Sequence, residues 1–200
     1  MKQVVVIHGG DAFATYEAYI EDLKTSPIDF ERLRNPSAGW KGVLAQQLGA
    51  GYEVIQPRMP NRTNAKYLEW KIWLERLLPY FEEGAVLVGH SLGGVFLAKY
   101  LAEEEVSKRI GGTFLVAAPY DADSDKGLVE FVPPHSLELL AQQGGEIFLY
   151  QSEDDRVVLA TELAKYQQRL PSATVRTFTD RGHFNGDEFP ELIADIKSLG

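Results

Sequence analysis

The stretch AVLVGHSLGGVFLAKYLA, residues 85–102, joins two apolar runs through a turn that is rich in glycine. The first run has apolar residues on successive rather than alternating positions, which is typical of a strand buried on both faces of a sheet. The second run favours a helix. Ser91 lies between the two runs and is flanked by Gly89 and Gly93. The stretch therefore predicts a strand, a sharp turn and a helix, with Ser91 at the turn.

The same strand pattern recurs along the chain, and helical patterns separate its occurrences. The strand candidates are residues 3–9, 52–57, 85–90, 112–118, 146–151 and 174–179. Apolar residues at helical spacing occupy residues 39–48, 65–81, 159–170 and 188–198, and a further helix is expected around 13–24. Strands that alternate with helices form a parallel sheet with helices on both faces. We therefore predict an α/β fold, a three-layer α/β/α sandwich with about six mostly parallel strands, in a single domain over residues 1–200.

Four residues add local detail to two of these helices. Asn64 precedes the helix over residues 65–81 and is predicted to cap it through its side chain. Trp70 and Trp73 lie on the apolar stripe of that helix and are predicted to pack in the core. Pro190 falls early in the last helix, where its missing N–H costs little.

Composition limits the classes of partner. The 200 residues carry a formal net charge of −9, and no local basic patch stands out, so an anionic nucleic acid or membrane would be repelled. The chain has no cysteine, which excludes a thiolate metal site and a cysteine nucleophile and fits a reducing compartment. The N-terminal sequence MKQVVVIHGG has an apolar run that is too short for a signal sequence or a membrane span. We predict a cytoplasmic protein that binds neither nucleic acid nor membrane.

Ser91 has the surroundings of a nucleophile, because residues 89–93 match the Gly-x-Ser-x-Gly pattern of a nucleophile elbow. A serine on a sharp strand-to-helix turn has a strained backbone, and the residues two positions before and after it must be small. The start of the following helix directs free N–H groups, including that of Leu92, towards an oxyanion that forms beside the serine. The simpler interpretation is an ordinary glycine-rich turn with an incidental serine, and further signals favour the nucleophile.

A serine hydroxyl needs a neighbouring base, and parallel sheets bind ligands beyond the carboxyl ends of their strands. His183 follows the last predicted strand, and Gly182 permits a tight turn before it, so we predict His183 as the base. His8 and His90 are next to the site in sequence, but His90 is expected to point away from Ser91. We interpret both as structural histidines that are satisfied by local hydrogen bonds.

The carboxylate that orients the base is expected on a loop between Ser91 and His183 in the sequence. Asp154 and Asp155 follow the fifth predicted strand, and the spacing alone leaves the choice between them open. The simpler interpretation of this pair is a turn-forming role. Further acidic residues in the preceding loop are less well placed, and they are Asp121, Asp123 and Asp125.

The second donor to an oxyanion should be a backbone N–H after the first strand. The sequence HGGDAF, residues 8–13, fits this role, with Gly10 as the preferred donor and Asp11 as the second choice. Two long loops, residues 11–38 and 119–134, leave the same edge of the sheet and are expected to border the site. Neither is long enough for a substantial cap domain.

Three short motifs resemble the α/β-hydrolase superfamily: Ser91 in GHSLGG, Asp155 in SEDD and His183 in GHFN. Residues 150–199 look more narrowly like the small, lidless serine hydrolases related to the retinoblastoma-binding hydrolase. The resemblance covers roughly residues 50–199. In that family the second aspartate of the pair belongs to the catalytic triad, which implies Asp155.

The resemblance implies a serine hydrolase that forms an acyl-enzyme on Ser91, with His183 and Asp155 completing the triad and no metal or organic cofactor. The expected activity is that of a carboxylesterase on small or medium acyl esters, with a small-molecule acyl substrate as the partner. A peptidase or a thioesterase would use the same triad, and a protein-binding module with this fold and little turnover is a further alternative. The chain departs from the family at Arg156, where proline is common, and residues 11–38 have no counterpart that would assign the substrate pocket.

Overall fold

The protein contains one parallel sheet, which the sequence pattern predicts. The computed structural model describes residues 1–34, 39–121, 128 and 130–200. The strands are β1 (Lys2–Ile7), β2 (Tyr52–Ile55), β3 (Ala85–His90), β4 (Ile110–Val116), β5 (Glu146–Ser152) and β6 (Thr174–Phe178). They lie in the order β2-β1-β3-β4-β5-β6, and each neighbouring pair is parallel. All six predicted strands are confirmed, with small shifts at their ends.

Helices connect the strands, as the alternating pattern predicts. Within the described residues they are α1 (Tyr16–Thr25), α2 (Phe30–Arg34), α3 (Gly39–Leu48), α4 (Tyr67–Leu77), α5 (Leu92–Glu103), α6 (Glu138–Gln143), α7 (Thr161–Arg169) and α8 (Pro190–Ser198). Pro190 stands at the start of α8, as predicted. The periodicity of the sequence does not predict the short helices α2 and α6. Over the described part of the chain, no helix has the length and apolarity that a membrane crossing requires.

The predicted cap of α4 is wrong. Lys66 occupies the N-cap position, and its side chain makes no capping hydrogen bond. Glu130 supplies the missing acceptor from a distant loop, because the backbone N–H of Tyr67 donates to its carboxylate at 3.1 Å. The side-chain oxygen of Asn64 is buried without a hydrogen-bond partner among the described residues. A long-range carboxylate therefore replaces the local cap that the sequence suggests.

Two apolar clusters cover the two faces of the sheet and confirm the three-layer sandwich. On one face Trp70 of α4 is fully buried and packs edge-on against Phe96 of α5, with ring centroids 5.4 Å apart. On the other face Trp40 of α3 packs against Phe189, which immediately precedes α8, at 5.5 Å. Trp73 packs at the border of the first cluster, so both tryptophans of α4 are core residues, as predicted.

The parallel arrangement decides where a site can form. Because all strands run in the same direction, their carboxyl ends meet at one edge of the sheet. The residues that follow β1, β3, β5 and β6 therefore lie near one another, although they are far apart in the sequence. This edge holds Gly10, Ser91, Asp155 and His183.

Candidate active site

Ser91 occupies the sharp turn between β3 and α5. Its backbone has φ 56° and ψ −123°, a conformation that L-residues rarely adopt and that costs roughly 1–3 kcal/mol. The surrounding structure holds it there, since its N–H donates to the carbonyl oxygen of Val116 in β4 at 2.8 Å. The turn lifts the serine out of the sheet and leaves it partly exposed at the carboxyl edge.

The flanking glycines are required by contacts between backbones. A Cβ on Gly89 would overlap the carbonyl oxygen of Gly93, and a Cβ on Gly93 would overlap the carbonyl oxygen of Ile7. The two glycines therefore let the end of β3 approach the first turn of α5, and let α5 approach β1. The sequence predicts small residues at these positions because they approach the serine closely. In the structure the reason is that each of them approaches the backbone of another segment.

His183 and Asp155 form a hydrogen-bonded pair at the ends of β6 and β5. Nδ1 of His183 lies 2.8 Å from Oδ2 of Asp155. Because a carboxylate only accepts, Nδ1 carries the hydrogen and Nε2 keeps its lone pair, which is the tautomer a general base needs. The Asp155 side chain is fully buried and 12% of the His183 side chain is exposed. The pair is thus shielded from water on its carboxylate side.

The second oxygen of Asp155 fixes the carboxylate in place. Oδ1 accepts hydrogen bonds from the backbone N–H groups of Val157 at 2.8 Å and Val158 at 3.0 Å. These two donors wrap the loop after β5 around the carboxylate. They also leave Oδ2 directed at Nδ1 of His183, so the conformation of the loop after β5 fixes the orientation of the imidazole.

Asp154, the alternative partner, is engaged elsewhere. Its Oδ1 accepts from the hydroxyl of Ser152 at 2.5 Å and from the backbone N–H of Gly182 at 2.9 Å. The hydrogen bond from Ser152 is the largest cause of its lowered pKa. Ser152 in turn accepts from the backbone N–H of Arg181 at 3.1 Å. Asp154 therefore holds the start of the histidine loop, and the structure pairs His183 with Asp155. Of the other acidic candidates, Asp123 and Asp125 lie outside the described residues.

Both residues that are predicted as oxyanion donors lie at the wall of one cavity. Gly10 and Leu92 both line the cavity that contains Ser91. Leu92 is the first residue of α5, so its N–H has no acceptor within the helix. The N–H of Asp11, the second choice, donates to the carbonyl oxygen of Arg62 at 2.9 Å and is not available for a substrate. A Cβ on Gly10 would overlap that same carbonyl oxygen, so only glycine fits.

The two histidines that the sequence suggests are structural make specific hydrogen bonds. Nε2 of His8 accepts from the N–H of Met59 at 3.0 Å, and its Nδ1 donates to the carbonyl oxygen of Gly9 at 2.7 Å. Burial lowers the pKa of His8. Nε2 of His90 donates to the carbonyl oxygen of His183 at 2.8 Å. Burial places the pKa of His90 well below its usual value, so both rings are neutral at neutral pH.

A cavity of about 520 Å³ opens beside Ser91 and His183. Its apolar lining includes Leu92, Pro119, Leu128, Val157, Val158 and Leu159. Charged side chains also reach it, and they are Asp11, Lys41, Arg62, Asp121 and Glu162. Both long loops contribute, through Asp11 and Ala12 on one side and Pro119, Asp121 and Leu128 on the other, as predicted.

Glu162 is a cavity residue that the sequence reasoning missed. It is buried in the first turn of α7 and accepts from the backbone N–H groups of Tyr120 at 2.6 Å and Asp121 at 3.1 Å. It also forms an ion pair with Lys165 at 2.6 Å. Glu162 therefore ties the loop after β4 to α7 and shapes the cavity wall. The sequence does show an acidic residue in the first turn of a predicted helix at this edge, where a negative charge is favourable. It does not show the distant N–H groups that this residue binds.

No group of three or more His, Cys, Asp or Glu side chains converges as a metal site would, within the ranges that the structure describes. The acidic residues around Asp155 instead accept hydrogen bonds from hydroxyl, imidazole and backbone N–H groups.

Comparison with known proteins agrees with the fold and points to one family. The family model described as Serine hydrolase matches residues 34–191. Serine hydrolase RBBP9 from Rattus norvegicus is 29% identical over 167 residues, which cover 80% of this chain and 86% of that protein. The crystal structure of the ydeN gene product from B. subtilis has a TM-score of 0.73 at 21% identity and covers 100% of this chain and 98% of its own. A meta-cleavage product hydrolase from Pseudomonas fluorescens IP01 has a TM-score of 0.66 at 14% identity, with coverage of 100% and 90%.

The family match and the structural similarities carry different weight. At 21% and 14% identity the two solved structures establish the fold alone. The family match extends over more than half of the chain, and Ser91, Asp155 and His183 all fall inside it. The chain has the α/β-hydrolase fold and belongs to the serine hydrolase family.

Proposed function

We propose that the protein is a carboxylic ester hydrolase in which Ser91, His183 and Asp155 form the catalytic triad. The single observation that supports this most strongly is the hydrogen bond from His183 Nδ1 to the buried Asp155 carboxylate at 2.8 Å. The histidine of this pair lines the same cavity as a serine on a strained turn. A buried acid, an oriented imidazole and a partly exposed serine at one sheet edge are the parts that acyl transfer requires.

The proposed reaction proceeds in two halves. Oγ of Ser91 attacks the acyl carbon while Nε2 of His183 removes the hydroxyl proton, and Asp155 stabilises the imidazolium that results. The N–H groups of Gly10 and Leu92 bind the oxyanion. The tetrahedral intermediate collapses, the C–O bond to the alcohol breaks, and the imidazolium returns its proton to the alcohol. Water then attacks the acyl-enzyme with His183 as the base, the bond between the acyl carbon and Ser91 Oγ breaks, and the imidazolium returns its proton to Oγ as the acid product leaves.

The cavity supports esters with small or medium acyl groups. Its volume of about 520 Å³ falls in the range of small-molecule sites. Leu128, Val157 and Leu159 give it an apolar wall, and Val157 and Leu159 are more than half exposed at its mouth. An apolar acyl chain can lie along this wall, with its carbonyl carbon at Ser91.

A fluorophosphonate probe tests the nucleophile directly. We expect stoichiometric labelling of the wild type at neutral pH and no labelling of Ser91→Ala. Ser136→Ala is the matched control, because Ser136 is exposed and lies away from the cavity, and it should label like the wild type. A wild type that fails to label, or a Ser91→Ala variant that still does, would remove Ser91 from the mechanism.

A substrate panel tests the reaction class. We expect turnover of p-nitrophenyl esters, with the highest kcat/KM for short or medium acyl chains. A thioester and an aminopeptidase substrate in the same panel distinguish the alternative reactions of the same triad. Preference for either of these would replace the ester assignment, and labelling without turnover of any substrate would favour a binding module.

A further inference from the structure

The loop that carries the base contains strained backbone. In residues 181–186, Gly182 has φ 50° and Phe184 has φ 51°. The second of these is a non-glycine residue in the left-handed region, which costs free energy and persists only where neighbouring groups fix it. One hydrogen bond within the loop closes its turn, from the N–H of Phe184 to the carbonyl oxygen of Arg181 at 3.0 Å. The bonds that place the loop and His183 against the rest of the protein come from outside it.

Those bonds reach the loop from two sides. On one side Ser152 and Asp154 accept from the N–H groups of Arg181 and Gly182. On the other side two ring nitrogens donate to consecutive carbonyl oxygens of the loop. Nε2 of His90 donates to His183 at 2.8 Å, and Nε1 of Trp40 donates to Phe184 at 2.9 Å. The backbone N–H of Trp40 adds a third bond, to the carbonyl oxygen of Gly186 at 2.9 Å.

His90 is suited to this role by its surroundings. Only 4% of it is exposed, and its ring packs edge-on against Trp40, with centroids 6.3 Å apart. The ring of His183 lies 4.9 Å away. Burial, with the charges of Lys41 and His183, keeps the pKa of His90 well below its usual value. His90 is therefore a neutral donor that does not place a second positive charge beside the imidazolium formed on His183.

The place of His90 in the chain links the base to the nucleophile. His90 is the last residue of β3 and immediately precedes Ser91. The strand that positions the serine hydroxyl therefore also positions the donor that holds the main chain of His183. A peptide bond joins His90 to Ser91, and a hydrogen bond of 2.8 Å joins the side chain of His90 to the main chain of His183. The nucleophile and the base are therefore linked through His90.

We propose that His90 is a positioning residue, which fixes the main chain of His183 so that its imidazole stays aligned with Ser91. The inference rests on the proposed function of this site. His90 acts through His183 and takes no proton in the reaction. Its loss should lower the rate of the chemical step and leave substrate binding little changed, because a small displacement of a reacting group can reduce the rate by about 100-fold.

The test compares His90→Leu with His90→Gln in the full chain. Leucine fills part of the space without a donor, whereas the amide nitrogen of glutamine can reach the carbonyl oxygen of His183. We expect kcat for a p-nitrophenyl ester and the rate of fluorophosphonate labelling to fall roughly 10–100-fold in His90→Leu, with KM within about twofold of the wild type. His90→Gln should recover most of both rates. If His90→Leu does not fold, His90→Asn takes its place, since its shorter amide does not reach the carbonyl.

The outcomes separate this inference from the proposed function. A wild type that neither labels nor hydrolyses esters would overturn the proposed function and the role of His90 with it. A reactive wild type with an equally reactive His90→Leu variant would overturn only the role of His90. That role would also be overturned if His90→Gln lost as much activity as His90→Leu in parallel with a loss of thermal stability, because that pattern describes a packing residue.

Discussion

The loop over residues 181–186 and the helical segment over residues 13–34 leave the same edge of the sheet, but they are held in different ways. The loop is bound through its backbone by side chains from β3, α3 and the end of β5. In the segment, α1 has no buried residue, and its N-terminus is capped locally by Thr15, which accepts from the N–H of Ala18. The large exposed apolar side chains of the segment are Tyr16, Leu23, Ile28, Phe30 and Leu33.

The difference shows which bonds specify geometry. The hydrogen bonds that α1 makes through Thr15, Lys24, Thr25 and Ser26 join residues three or four positions apart, and bonds of this kind do not specify where a helix lies on the protein. Long-range bonds to buried groups can hold even strained backbone, as at Ser91 and Phe184. Substitutions in and around the loop should therefore change activity strongly, and comparable substitutions in the segment should change little.

The largest effect is expected at Asp155. Asp155→Asn leaves the shape of the site but offers an amide to His183, which favours the wrong tautomer, so kcat should fall by about 10⁴-fold. Asp154→Asn removes charge from a side chain that accepts from Ser152 and Gly182 rather than from His183, and we expect a loss of about tenfold or less. Steady-state ester hydrolysis measures both variants. A larger loss in Asp154→Asn would transfer the orienting role to Asp154.

This pair also shows how far the sequence leads. The six strands follow from their apolar runs, since burial on both faces leaves few polar positions in them. The order of Ser91, the aspartate pair and His183 along the chain is enough to predict that three groups meet at one sheet edge. The choice between Asp154 and Asp155 needs the loop conformation, because both are adjacent in sequence and only their backbone environments differ. The family resemblance points to Asp155, and the hydrogen bonds give the physical reason.

Other features are not predictable from the sequence, because each is a hydrogen bond whose two residues are brought together only by the fold. Glu130 satisfies the start of α4 from 63 residues away, so the local rule that selects Asn64 is wrong. The N–H of Asp11 is used by Arg62, which no pattern near residue 11 reveals. The position of His90 in the sequence indicates a structural residue, and only the fold shows that its partner is the main chain of His183.

A smaller effect is expected in the dependence of stability on pH. The pKa of His90 is lowered in the folded state by burial, whereas a histidine in the unfolded chain has a pKa of about 6.5. Below that pH the unfolded state binds a proton that the folded state excludes. For this one group, the free energy of unfolding should therefore be constant and highest above about pH 6.5. Below about pH 6.5 it should fall by up to about 1.4 kcal/mol per pH unit.

The variant His90→Gln isolates this contribution, because glutamine does not titrate. Urea unfolding at several pH values between about 8 and 5 should give a shallower slope for the variant below about pH 6.5. Above about pH 7 the two slopes should agree, since the histidine is neutral in both states. His8, whose pKa is also lowered by burial, remains in the variant, so part of the acid sensitivity should persist. Equal slopes below about pH 6.5 would mean that His90 gains its proton in the folded protein.

The smallest effect is expected in the segment over residues 13–34. Leu23 in α1 is 59% exposed, whereas Leu74 in α4 is fully buried. Leu74→Ala should lower the free energy of unfolding by about 2–5 kcal/mol, and Leu23→Ala should stay within about 0.5 kcal/mol of the wild type with unchanged ester hydrolysis. Urea unfolding measures both changes. If Leu23→Ala lowered the free energy of unfolding as much as Leu74→Ala, the segment would be packed against another surface in solution. The loop and the segment would then both be held in place, by different partners.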